Sequence, residues 1–175
     1  MIPVEIFTNS QRFLGTLETK HVRVVDALNA TAESYVILRD AQMTQLTGAL
    51  QYAEALSAVK LNKQAIAFAV PHEDDSDDPA RRQQRFFAYT PKDAHPILLC
   101  LENFEVRGNI HVPRSSAPPS ARDVLELPGG EFVPVTAATL VFLLKPTLAF
   151  QAGVVVIHKP RVTAVGLLPH SAPAI

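Results

Sequence analysis

The sequence predicts an all-β protein made of two similar small antiparallel β-barrel units packed in tandem. Three observations carry this. Fourteen prolines against seven glycines, with no tryptophan, suit short strands and turns better than long helices. Apolar runs of strand length, such as Ile97-Leu98-Leu99-Cys100-Leu101 and Val154-Val155-Val156-Ile157, are rich in aliphatic and β-branched residues. The chain also repeats itself. Arg12-Phe13-Leu14-Gly15-Thr16-Leu17 matches Glu105-Val106-Arg107-Gly108-Asn109-Ile110, and Asp26-Ala27-Leu28 matches Asp123-Val124-Leu125. The strand opening at Tyr35 matches the one opening at Phe132, and Leu61-Asn62-Lys63-Gln64-Ala65-Ile66 matches Ile157-His158-Lys159-Pro160-Arg161-Val162. The four offsets are 93, 97, 97 and 96, which a four-residue insertion around 116–120 and a single-residue slip account for.

Taken in order, the first half predicts strands at 4–8, 13–19, 35–42, 50–61 and 65–70, and the second at 97–102, 105–112, 132–143, 148–157 and 162–168. Asn9-Ser10, Asn62-Lys63, Pro128-Gly129-Gly130 and His158-Lys159-Pro160 supply turns. One stretch is ambiguous. Met43, Leu46, Leu50, Ala53 and Leu56 are spaced as on an amphipathic helix, but their partners in the second half form a hairpin around Lys145-Pro146-Thr147. The repeat therefore favours two strands, with a turn at Thr47-Gly48. Five strands in a meander are too few for a sandwich, and each set is expected to curl into a partly open barrel that packs on the other to share a core.

The expected domain organisation is a first barrel at 1–72, a charged linker at 73–92, a second barrel at 93–168 and a tail at 169–175. The linker concentrates five carboxylates, Glu73, Asp74, Asp75, Asp77 and Asp78, followed by Arg81, Arg82 and Arg85. Elsewhere charge is sparse. With 16 Lys and Arg against 17 Asp and Glu among 175 residues, no overall field draws the chain to nucleic acid or anionic lipid. The single cysteine, Cys100, excludes an intrachain disulfide and fits a reducing compartment. The N-terminus lacks the features of a signal peptide. The apolar run 136–157 is interrupted by Lys145, Pro146 and Gln151, so it reads as two buried strands and not a membrane span. The expected location is cytoplasmic.

The residues Val106-Arg107-Gly108-Asn109-Ile110-His111-Val112-Pro113, Arg122-Asp123-Val124-Leu125 and Glu131-Phe132-Val133-Pro134-Val135-Thr136-Ala137-Ala138 resemble a bacterial domain family of unknown function built as a compact β-barrel. The first half is similar through Asp26-Ala27-Leu28-Asn29, Ile37-Leu38-Arg39-Asp40-Ala41 and the Lys60-Leu61-Asn62-Lys63 turn. That resemblance implies a fold and a tandem arrangement but no activity. Gly15, Asp26 and Asn29 also stand in the order found in Sm-like barrels, where a loop Asn and a neighbouring aromatic hold RNA bases. No aromatic precedes Asn29, no Arg-Gly second motif follows, and Glu126 takes its place in the second half, which weighs against nucleic acid.

Arg81 and Arg85 ahead of Asn103 and Gly108 resemble the clamp of PilZ-type cyclic-di-GMP receptors, in which guanidinium groups grip phosphates and stack on guanine. Glu105 replaces the expected Ser, and a solvated linker whose arginines answer the preceding acids is the plainer reading. The weak ligand-binding candidates are thus Arg81, Arg82, Arg85, Asn103, Asp26 and Asn29. Asp26 and Asp123 are read as loop residues accepting backbone N–H bonds, Cys100 as a buried inert thiol, and the six histidines as turn or surface residues without metal-ligand spacing. No nucleophile elbow or phosphate loop is present, and no cofactor is expected. The expected function is non-catalytic binding or scaffolding through protein contacts, with self-association through exposed strand edges; the alternative is a cyclic-dinucleotide or RNA ligand.

Overall fold

The computed structural model describes residues 1–47, 53–72, 92–114, 120, 124–127 and 129–169. Its strands are, in chain order, β1 (Ile2–Phe7), β2 (Gln11–Leu17), β3 (Tyr35–Gln45), β4 (Ala53–Asn62), β5 (Phe68–Pro71), β6 (Lys92–Leu101), β7 (Phe104–Pro113), β8 (Phe132–Phe142), β9 (Ala149–His158) and β10 (Val162–Leu167). A six-residue helix, α1 (Val24–Asn29), precedes β3, and 3-10 turns at Lys63–Ala65 and Lys159–Arg161 follow β4 and β9. All ten strands form one antiparallel sheet in the order β10-β6-β7-β8-β9-β5-β1-β2-β3-β4. The expectation of an all-β chain holds.

The sheet does not close into a barrel. β5 uses one edge on β1 and the other on β9, so no strand of the first half remains to close it on itself. Among the described residues β10 and β4 end the sheet, each paired on one side only. Nor is there one shared core. One buried cluster gathers β6 to β9 around Phe104, Val106, Leu140 and Ile157; the other gathers β1 to β4 around Val4, Ile6, Leu17 and Leu38. Each borrows from across the joint. Phe7, Leu46, Phe68 and Val70 belong to the first cluster, while Phe132 and Val156 belong to the second.

Within the stretch with helix-like spacing, the described residues are strand up to Gln45 and again from Ala53, while Gly48 of the expected turn and Leu50 lie outside the described residues. β3 runs on to Gln45 and β4 begins at Ala53, with Thr44 opposite Ala53, so cross-strand pairing outweighs local helical preference. Around Asp26, however, the expected loop is a helix. Val24, Ala27 and Leu28, at one helical face, are buried in the second cluster. β6 starts at Lys92, five residues before the expected strand, because Pro96 is tolerated there. Its carbonyl accepts from Leu168 N, so its missing N–H faces the side where the β10 register has already stopped at Ile97. The apolar run 136–157 forms the end of β8, a turn and β9.

Two irregularities recur. Gly15 and Gly108 sit where the β2–β3 and β7–β8 registers shift. A Cβ on Gly15 would meet the Arg39 carbonyl oxygen at 3.0 Å, and one on Gly108 would meet the Thr136 carbonyl oxygen at 2.8 Å. Beside them Asp40 and Ala137, 97 positions apart, are the non-glycine residues with positive φ among the described residues, at 49° and 48°. Each belongs to a bulge in which two residues of one strand, Asp40 and Ala41 or Ala137 and Ala138, face a single glycine of the neighbouring strand, Gly15 or Gly108.

Candidate interaction site at the inner joint and the open edges

The joint between the halves is built on the β5–β9 ladder, with Phe68 opposite Ile157 and Ala69 opposite Val156. Phe7 and Phe68 stack at 4.5 Å between ring centroids and reach Phe104 edge-on at 6.1 and 4.9 Å. Phe150 also stacks on Phe7, at 5.6 Å. Such aromatic contacts add about 0.5–1.5 kcal/mol each beyond area burial.

His158 lies inside this joint and is fully buried, contrary to the expectation of a surface histidine. β9 is covered on both faces at its end, so the side chain has nowhere to emerge. Its ring stacks on Phe132 at 4.3 Å and 9°, Nδ1 is 3.0 Å from the Ile66 carbonyl oxygen, and Nε2 is 3.4 Å from Glu131 Oε2. Burial pushes its pKa below the usual 6.5 despite the Glu131 carboxylate and the Ile66 carbonyl, which favour the cation. The Ile66 carbonyl can only accept, so Nδ1 is the donor in that bond.

Polar ties rim the joint. The Asn29 side chain donates to the Phe132 carbonyl at 2.8 Å and accepts from the Phe132 N–H at 2.9 Å, in the manner of a strand partner. Gly130, at φ +106°, passes so close that a Cβ would stand 2.3 Å from Asn29 Oδ1. Arg161 Nε donates to the Gln64 carbonyl at 2.8 Å, and Gln64 Nε2 to Glu131 at 3.2 Å. At the far end Asn103 Nδ2 donates to the Asn9 carbonyl at 2.9 Å, and Asn9 Nδ2 donates to the Glu102 carboxylate. Lys63, buried behind its 3-10 turn, donates from Nζ to the Ala30 carbonyl at 2.6 Å; Lys159 does the same to the Leu127 carbonyl at 2.8 Å. Burial lowers the Lys63 pKa, against the pull of Glu33.

The sequence-predicted ligand residues are placed differently from expectation. Asp26 pairs with Arg23 at 2.8 Å and accepts no backbone N–H in a loop, because its position lies in the first turn of α1. Asn29 and Asn103 spend their side-chain amides on Phe132 and Asn9. Glu105 pairs with Arg107 at 2.8 Å. Arg81, Arg82, Arg85 and the acidic run 73–78 lie outside the described residues. His72 turns back to Glu5 Oε1 at 3.0 Å beside Arg12; burial would raise the Glu5 pKa, but these two partners hold it below its usual value. Cys100 is half-buried, not wholly enclosed, since it sits on β6 beneath the exposed edge strand β10. Sequence reasoning missed His158, Glu131 and the Phe7–Phe68 pair. An uninterrupted apolar run ending in His158 was the available signal, since it marks a strand covered on both faces.

The sheet's outer strands contrast with its inner ones. Phe68, Ala69 and Val70 on β5 and Val155 to His158 on β9 are buried. On β10 no residue is buried, and on β4 only Leu61 is. Exposed leucines lie in the β8–β9 turn and on β10: Leu143, Leu144, Leu148 and Leu167, at 36–63% exposure. No helix among the described residues is long and apolar enough to cross a membrane. No protein-family profile, curated protein or solved structure matches this chain.

Proposed function

We propose that this chain is two copies of one five-stranded unit and that it acts as a non-catalytic scaffold, self-associating through the strand edges at the two ends of its sheet. The observation that carries the reading is the pair of edges, β4 and β10, that have a strand partner on one side only among the described residues and few buried side chains. The tandem reading is supported by features that recur at the offsets of the sequence repeat. These are the bulges at Asp40 and Ala137, the crowded Gly15 and Gly108, and the Lys63 and Lys159 ammonium groups on loop carbonyls. The turn bonds Leu46 N to Ser10 O and Leu143 N to Asn103 O, both 2.8 Å, recur likewise. Against a ligand site stands the use of the Asn29 and Asn103 amides within the fold.

Light scattering coupled to size-exclusion chromatography over a concentration series tests the reading. Mass that rises with concentration is expected; a monomer throughout removes it. Calorimetric titration with cyclic-di-GMP, with an Arg81→Ala, Arg85→Ala variant beside it, separates the ligand alternative. Binding heat that the double variant loses would favour the dinucleotide over the scaffold.

A further inference from the structure

The inner joint has a ready counterpart at each end of the sheet. By the repeat offsets β10 answers to β5 and β4 answers to β9, so the two strands that meet inside the chain are each represented once more at an open edge. Exposure follows this assignment. Leu46 crosses the inner joint into the neighbouring cluster and is 9% exposed, whereas Leu143, which holds the same place in the second half, is 47% exposed. Ala69 is buried, but its counterpart Val165 is only half-covered.

We propose that copies of this chain join head to tail, the β10 edge of one copy pairing with the β4 edge of the next as β5 pairs with β9, with Glu126 of one copy set against Tyr35 and Lys60 of the next. The proposal rests on the scaffold reading and names its partner as a second copy of this chain. A joint that uses two different edges is heterologous, so it builds rings where the rotation closes and open chains where it does not.

The side chains set the character of this outer joint. Gln11, Gln45 and Glu54 stand where Phe104, Phe142 and Phe150 line the inner one, and Cys100 and Ala164 stand where Phe7 and Phe68 project. Aromatic packing is thus confined to the inside of the chain, and the outer contact relies on main-chain pairing, the exposed leucines and charge. It is reversible where the inner joint is permanent.

The charge is complementary. Asn29 clips the Phe132 main chain in the inner joint, and the exposed Glu126 holds the place of Asn29 while Tyr35 holds the place of Phe132. Lys60, which replaces the buried Val156, lies with Nζ 4.6 Å from the centre of the Tyr35 ring. A neighbouring Glu126 carboxylate would accept from the Tyr35 N–H and face the Lys60 ammonium.

Sedimentation velocity of the full chain at low salt, over a range of concentrations, tests this with three variants. Lys60→Glu and Glu126→Lys each place like charges at the joint and are expected to weaken association about 3- to 10-fold. The double variant restores the opposite pair with its signs exchanged and is expected to recover wild-type association. Thermal unfolding of each variant establishes that the fold is intact. Association of the wild type without recovery in the double variant overturns the head-to-tail arrangement and leaves self-association standing, by pairing of like edges or another face. A wild-type monomer at every concentration overturns both.

Discussion

Asn29 holds both main-chain groups of Phe132, accepting from its N–H at 2.9 Å and donating to its carbonyl at 2.8 Å across 103 positions of sequence. A side-chain amide, with its NH2 donor and carbonyl acceptor side by side, can do both at once. Asn29→Ala is expected to destabilise the chain by about 1–3 kcal/mol, since it leaves a half-buried donor and acceptor without partners. Asn29→Asp keeps the acceptor but faces the Phe132 carbonyl with a carboxylate, so it should lose as much. Urea unfolding of both variants checks this; an Asp variant as stable as wild type would refute the donating half of the clip.

His158 gives the joint a pH dependence of defined sign. Its folded-state pKa lies below the usual 6.5, so between those two values the unfolded chain carries a proton that the folded chain does not. Stability from this group is therefore full above pH 6.5 and falls as the pH drops toward the folded-state pKa. Comparing urea midpoints at pH 7.5 and 5.5 (chosen to bracket that window at about one unit either side) should show a loss in wild type that shrinks in His158→Asn. An equal loss in both proteins would assign the dependence to other groups.

The two crowded glycines should differ in tolerance. A Cβ on Gly108 would stand 2.7 Å from Val135 Cγ1 and 2.8 Å from the Thr136 carbonyl oxygen, while on Gly15 the nearest atom is at 3.0 Å. Gly108→Ala is expected to cost about 1–3 kcal/mol and Gly15→Ala less. Thermal melts of the pair decide it, and the reverse order would contradict the packing.

At the bulges the left-handed backbone disfavours a side chain by about 1–2 kcal/mol, though Asp is better suited to it than Ala. Ala137→Gly should be neutral or stabilising by up to about 1 kcal/mol, and Asp40→Gly should gain less. A melting temperature lowered by Ala137→Gly would show that the bulge is held by contacts of the methyl group.

Strand content was legible because it leaves periodic traces: apolar runs of strand length bounded by turn residues. The Met43 to Leu56 spacing misled in isolation and was corrected only by its partner, whose Lys145-Pro146-Thr147 turn cannot continue a helix. The joint was not legible as a joint. Edge pairing is made by main-chain groups common to all residues, so β5 and β10 read alike until their side chains are compared: Phe68-Ala69-Val70 against Ala164-Val165-Gly166. Asp40 and Ala137 share a conformation and no chemistry, which hid the bulges. Asn29 stood out as a loop amide of the kind that meets ligands, yet its partner is the chain's own backbone, 103 residues away.

Because Phe7 and Phe68 complete the cluster of β6 to β9 while Phe132 and Val156 complete that of β1 to β4, neither half owns all of its interior. Cutting the chain between residues 72 and 92 would remove no described contact, yet each fragment alone would present part of an unfinished core to water. Mixed together, the two fragments carry every surface needed to find each other. The covalent connection between them then serves as a concentration device, and a nicked protein should stay assembled and unfold in a single step that depends on fragment concentration.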